Sequence, residues 1–257
     1  MTFAPFGPMA GAPFGFRVST GDDSDGTLRV VDKFGTNDDL DTGVAEDLWD
    51  GGGAFPWPTG DEALEIVSSS TDDAAAGTGA RTVTIQSLDA ALAEIEQTVT
   101  LNGTTAVAIP TSVMRTHRAF VATVGSGEVN AGTLTIRLAS AGATRAVVAA
   151  DKGQTRIATY TIPVGFVGYI VRFYAGFETA GASAEVVIEV MTRNSIGEGW
   201  RVREQEGISS AATSRVDHHM LGGIGALPAG AMIRLRGTSN ANNVGVLGGF
   251  GIVLVAV

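Results

Sequence analysis

Residues 81–109 read RTVTIQSLDAALAEIEQTVTLNGTTAVAI, and this stretch decides the fold class. Val83 and Ile85 alternate with Thr82, Thr84 and Gln86, the period of two that marks a strand with one buried face. After it, Asn102-Gly103 stands between Thr98-Val99-Thr100-Leu101 and Val107-Ala108-Ile109. Because both central positions of a two-residue hairpin turn need positive φ, this predicts a hairpin joining those two runs. Between them, Leu88, Ala91, Leu92 and Ile95 fall at helical spacing, while Ala93, Ile95, Gln97, Val99 and Leu101 fall at strand spacing. Asp89 to Glu96 is read as the incoming strand of the hairpin, with a short helix as the alternative.

The same alternation recurs outward from there. Leu134, Ile136 and Leu138 alternate with Thr133, Thr135 and Arg137. Further strands are expected at Leu64 to Ser68, Arg118 to Val124, Arg145 to Ala149, Ile157 to Ile162, Tyr169 to Phe173, Ala184 to Met191, Val202 to Gln205, Met232 to Arg236 and Gly251 to Val257. About twelve such segments predict an all-β chain with an antiparallel β-sandwich or jelly-roll body spanning 61–257. Whether that body is one module or two stays open; the small-residue loop Ser140 to Thr144 offers a division near 140–145.

Residues 1–60 have another character. They hold five of the eight prolines, and the first 65 residues carry thirteen Asp and Glu against Arg17, Arg29 and Lys33. Since the whole chain is at −10, the remainder is neutral. Proline fixes φ and withholds an amide donor, so an extended acidic N-terminal arm is expected rather than central strands. Phe3, Phe6, Phe14, Phe16, Phe34, Trp49, Phe55 and Trp57 are too many large apolar groups for a segment meant to stay in water. They are the candidate anchors of an arm that docks, either on another protein or on the chain's own β body.

Composition excludes several chemistries. With no cysteine there is no disulfide, thiolate nucleophile or Cys-ligated zinc. The acidic balance argues against direct nucleic-acid binding, and no apolar run suits an export signal or a membrane span. Asp22-Asp23-Ser24-Asp25-Gly26 and Asn37-Asp38-Asp39-Leu40-Asp41-Thr42-Gly43 resemble calcium loops at a glance, but neither places oxygen ligands at positions 1, 3, 5 and 12 around its glycine. They read as turn-forming acids. His218 and His219, adjacent on a strand, point to opposite faces and cannot share a metal; His117 is the third histidine. Gly125-Ser126-Gly127 lacks the nucleophile-elbow frame, and Gly223-Ile224-Gly225-Ala226-Leu227-Pro228 lacks the last glycine of a dinucleotide fingerprint. No catalytic, cofactor or metal residue is therefore assigned, and a non-enzyme is expected. Arg234 and Arg236 share one strand face, with Ile233 and Leu235 on the other; Arg201 and Arg203 form a similar pair. Either could hold an acidic segment, or simply be solvated.

Two regions carry a resemblance. Thr71-Asp72-Asp73, Gly79-Ala80-Arg81-Thr82-Val83-Thr84-Ile85-Gln86, Leu88-Asp89 and Glu96-Gln97-Thr98-Val99-Thr100-Leu101-Asn102-Gly103-Thr104 form the first. Ala226 to Arg236, Ser239-Asn240-Ala241-Asn242-Asn243 and Gly248-Gly249-Phe250 to Val255 form the second. Together they resemble virion structural proteins of tailed bacteriophages, of the capsid-decoration, head-fibre or tail-associated type. That resemblance implies β-sandwich folds, assembly with other capsid or tail proteins, a homo-oligomer with a trimer among the options, and a virion location after assembly in the host cytoplasm. The alternative is a receptor- or carbohydrate-binding tail module that uses Trp200 or Tyr174 to stack on sugars.

Overall fold

A computed structural model describes residues 28–181, 183–212 and 214–257. The chain opens with β1 (Leu28–Leu40) and β2 (Ala45–Asp47). Seven strands follow: β3 (Leu64–Ser68), β4 (Ala80–Leu88), β5 (Glu94–Thr100), β6 (Val107–Ala108), β7 (Arg115–Val124), β8 (Leu134–Leu138) and β9 (Thr144–Val148). The rest supplies β10 (Thr159–Thr161), β11 (Phe166–Thr179), β12 (Glu185–Arg193), β13 (Arg201–Ser209), β14 (Arg215–Leu227), β15 (Met232–Ser239) and β16 (Val244–Ala256). Among the described residues there is no helix, and so none able to cross a membrane. The all-β expectation holds.

Four antiparallel sheets form two sandwiches, one nested inside the other. In the outer sandwich, β1-β16-β11-β14 packs on β10-β15-β12-β13, with β2 beside β10 along the same edge of β15. Leu40, Ile170, Phe173, Ile188, Leu235, Phe250 and Ile252 are buried between these layers. Each such side chain contributes about 1.5–3 kcal/mol relative to exposure. In the inner sandwich, β6-β3-β8-β9 faces β5-β4-β7 around Leu64, Ile66, Val83, Ile85, Leu134 and Ile136. Its residues enter after β2 and leave before β10, so it is an insertion in the outer sandwich.

That nesting corrects the expected boundaries. The loop near 140–145 is the connection between β8 and β9, which pair from Leu134↔Val148 to Arg137↔Thr144 inside one sandwich. Nor do residues 28–60 form a separate arm. Strand β1 pairs along its length with β16, from Leu28↔Val255 to Leu40↔Val244. The reading of this region as proline-broken fails because Leu28–Leu40 contains no proline. As an edge strand, β1 also escapes the need to be apolar on both faces.

The predicted Asn102-Gly103 hairpin does not form either. A tight turn is present, with Gly103 at φ 59° and the Thr105 amide donating to the Asn102 carbonyl at 3.0 Å. The flanking strands part company: β5 pairs with β4, whereas β6 pairs with β3 in the opposite layer. Gly103 is committed elsewhere, its amide donating to the Asp73 carbonyl and its carbonyl accepting from the Ser68 amide. Asp89 to Ala93 is a turn and not a strand, because the Asp89 carboxylate accepts from the amides of Ala91 and Ala93, both at 2.9 Å. Strand β5 starts only at Glu94.

Candidate functional site

The sequence singled out eight aromatic anchors, and they separate in space. Phe3, Phe6, Phe14 and Phe16 lie outside the described residues. Trp49 and Phe55 are buried with Ile157 where the two sandwiches meet, and Trp57 packs on them. Edge-to-face contacts join the rings at 5.3 Å for Trp49–Phe55 and 5.0 Å for Phe55–Trp57. These three serve the chain's own body. Trp57 also meets Trp200 at 5.2 Å, and the guanidinium groups of Arg193 and Arg234 lie 4.6 and 4.2 Å from the Trp200 ring centre. Trp200 is therefore half-buried, with its ring already in contact with Trp57, Arg193 and Arg234, and is not a free stacking platform.

Phe34 behaves differently. On β1, Arg29, Val31, Lys33 and Gly35 share the face that turns inward, while Val30, Asp32 and Phe34 share the outer face. Val30 is 57% and Phe34 38% exposed, and Leu247, opposite Thr36 on β16, is 40% exposed. The register places Phe34, Gly249, Tyr174 and Asp217 in one row across the outer sheet, and Asp32, Gly251, Arg172 and His219 in the next. A Cβ on Gly249 would fall 2.6 Å from the Tyr174 hydroxyl, so a glycine here lets the phenol lie across β16. Arg172 stacks on Tyr174 and pairs with both carboxylate oxygens of Asp217. That hydrogen bonding holds the Asp217 carboxyl below its ordinary value. His218 and His219 point to opposite faces of β14: His218 lies against Phe173 and Glu206, and His219 is on the outside near Asp217.

A cleft of about 690 Å³ lies between β1 and the inserted sheet, lined by Arg29, Lys33, Glu94, Glu96, His117, Arg118, Gln154 and Tyr160 among others. Arg29 on β1 pairs with both carboxylate oxygens of Glu94 on β5. Beneath them Lys33 is 7% exposed, with its ammonium on the main-chain carbonyl of His117. Burial, reinforced by the nearby Arg118 charge, pushes the Lys33 pKa down to about 7. Burial likewise holds the His117 imidazole well below its ordinary value, and its Nε2 accepts from the Thr161 amide at 3.2 Å. The tilted stack of His117 on Tyr160, at 4.3 Å, completes the junction. An amine that can lose its proton near neutrality is a chemically distinctive group. Sequence reasoning passed over it, although Lys33 is one of only two lysines in the chain.

Of the acidic run read as a turn, Asn37 to Leu40 belong to β1 at a register irregularity, and only Asp41 to Val44 turn, the Val44 amide donating to the Asp41 carbonyl. Glu46, 6% exposed, accepts from the Asn37 side chain and from the amides of Asp41 and Gly53. The face of Arg234 and Arg236, read as holding an acidic segment or as solvated, is largely covered by acids of the chain itself. Arg234 is 9% exposed against Asp47, and Arg236 pairs with Glu189.

Fold and surface thus define a two-sandwich all-β protein with an uncovered apolar strip on one sheet. No protein-family model matches the chain, and no curated protein does. Among solved structures it is similar to the VP2 subviral particle of infectious bursal disease virus, at a TM-score of 0.22 and 8% identity over 90% of this chain and 72% of that one. It is also similar to the T13 particle of the same virus, at a TM-score of 0.19 and 8% identity over 90% and 70% of the two chains. Likenesses of this size carry no argument about this chain.

Proposed function

We propose that the chain is a non-catalytic structural component of a virion, of the tailed-phage type that its sequence resembles. Its β body assembles with further copies and with neighbouring virion proteins, and its N-terminal residues reach the capsid or tail. The observation that carries the assembly step is the outer face of β1 and β16, where Val30, Phe34 and Leu247 stand exposed. Apolar groups on an edge strand invite a partner, and proteins that stay solitary blunt such edges with charge or proline. Among the described residues, Val30 to Gly35 of β1 carry neither device beyond Asp32 and the buried Lys33, the exposed Asp38 and Asp39 standing at the far end past the register irregularity at Asn37.

The test is sedimentation velocity on the full chain, wild type beside Phe34→Asp and Val30→Asp. Wild type is expected to associate at micromolar concentration, and the variants to be at least tenfold weaker with unchanged thermal midpoints. A wild type that remains monomeric at 100-fold higher concentration would end the assembly reading. Particle reconstitution with and without residues 1–27 then tests the attachment step.

A further inference from the structure

Three arginines converge on the outer face of β15 and β12 without the acids to balance them. Register places Met191 opposite Arg234 and Arg193 opposite Met232. Arg115, from the inserted sandwich, joins them through Met232: its Nη2 is 3.8 Å and the Arg193 Nε 3.2 Å from the same sulfur. Trp57 and Trp200 fill the space between, with Arg193 over both rings and Arg115 over Trp57. Asp47 is the one carboxylate in ion-pair contact, 3.4 Å from Arg234; among the described residues Arg115 and Arg193 have none. Glu62, the acid nearest Arg115, is held by both Nε and Nη2 of Arg145.

The cluster is also short of acceptors. Nε of Arg115, Nε of Arg234 and Nε1 of Trp57 are buried N–H donors with no partner. Arg115 is 3% and Arg234 9% exposed, so these are interior donors. Buried donors are paired in the great majority of cases, and three unpaired ones on touching side chains point to a missing acceptor. Burial and mutual repulsion lower the pKa of Arg115 to about 10 and lower that of Arg193 as well, as expected for cations held together with little counter-charge.

We propose that the Arg115, Arg193 and Arg234 guanidiniums with Trp57 and Trp200 form a binding site for an oxyanion, the carboxylate of an acidic peptide or a phosphate. Guanidinium forks match both groups in a bidentate manner, and flanking indoles screen the pair from water. Arg193, Trp57 and Trp200 are half-buried and form the open side. The site is independent of the apolar strip on β1.

Indole emission reports on it directly, since Trp57 and Trp200 are two of the three tryptophans and the third, Trp49, is one ring away through Phe55. The full chain is titrated with sodium phosphate and with a hexaglutamate peptide, against sodium chloride at matched ionic strength. A saturable change with either probe is expected, weakened at least tenfold in Arg193→Ala and only partly in Arg193→Lys. Saturation by hexaglutamate alone assigns a protein carboxylate as the source, and by phosphate alone a phosphate group. No response beyond chloride overturns the site, as does a response that Arg193→Ala leaves intact while its melting curve matches wild type.

Discussion

Lys33 on β1 donates its ammonium hydrogen to the main-chain carbonyl of His117 on β7, and this contact ties the outer sandwich to the one inserted in it. The same histidine accepts from the Thr161 amide on β10 and stacks on Tyr160. Together, Lys33, Thr161 and Tyr160 grip one residue of the insert from two strands of the outer sandwich. The Arg29–Glu94 pair lies above them, at 41% exposure on each side, and contributes little for that reason.

The junction makes stability depend on pH in a defined direction. Lys33 has an ordinary value of 10.5 in the unfolded chain and about 7 in the folded one. Between those values the unfolded chain binds more protons, so stability rises with pH, on the order of 5 kcal/mol across the window; it is lost as pH falls from 10.5 toward 7 and levels off below 7, where both states carry the proton. His117, depressed well below 6.5, extends the loss in the same direction further into acid. Lys33→Met should melt higher than wild type at pH 6 and show a flattened dependence of Tm on pH between 7 and 10. Equal slopes for the two proteins would refute the buried-amine account.

Much of the fold was legible because strands with one wet face announce themselves. Leu64–Ser68 and Leu134–Leu138 coincide with predicted segments, their burial alternating with the sequence. Strand β1 was hidden because its inward positions hold Arg29, Lys33 and Gly35, where apolar residues would have signalled a core. Strand β14 was legible only at His218 and His219, read as adjacent on a strand; its extent was hidden because its glycines break the alternation. Nesting was unreadable for a different reason: local pattern does not say that Leu40 packs with residues beyond 158 rather than with its immediate successors. At the site, alternation put Arg234 and Arg236 on one face correctly. Their cover was not readable, because it comes from residues distant in sequence: Trp200 and Asp47 for Arg234, and Glu189 for Arg236.

Asp73 is the hub of the inserted sandwich, fully buried and accepting four hydrogen bonds. They come from the Ser68 hydroxyl at 2.6 Å and from the amides of Ala80, Ala131 and Gly132 at 2.7 to 2.8 Å. Asp73→Ala leaves three amides without an acceptor in the interior and should cost roughly 3–5 kcal/mol. Asp73→Asn keeps the shape but turns one acceptor into a donor facing other donors, for about 2–3 kcal/mol. Urea unfolding of both variants reads these losses; an Asp73→Asn protein as stable as wild type would show that the carboxylate is not the organiser.

Gly35 marks the closest approach of β1 to the layer beneath. A Cβ there would fall 2.1 Å from the Leu48 carbonyl oxygen and 2.5 Å from the Ala158 nitrogen, both main-chain atoms that cannot swing aside. Gly35→Ala should therefore lose about 2–4 kcal/mol by pushing the layers apart. Gly60→Ala, with nothing within 4 Å, is the matched control and should change the thermal midpoint little. Similar losses for the two would mean that chain entropy rather than crowding sets the cost.

The inserted sandwich should fold by itself. Its core draws only on residues between Leu64 and Val148, and its strands pair only with one another. Fewer than 100 residues still bury enough apolar surface for a marginal fold. What a fragment of residues 60–156 gives up is specific: the Lys33 and Thr161 contacts at His117, and the Arg115 side chain's hydrogen bond to the Pro58 carbonyl at 2.7 Å. The expected fragment shows a strand-type circular dichroism spectrum and a cooperative melt, several degrees below that of the full chain. A fragment with no cooperative transition would mean that the junction at His117 and Arg115 is part of the inner core, and that the two sandwiches are one folding unit.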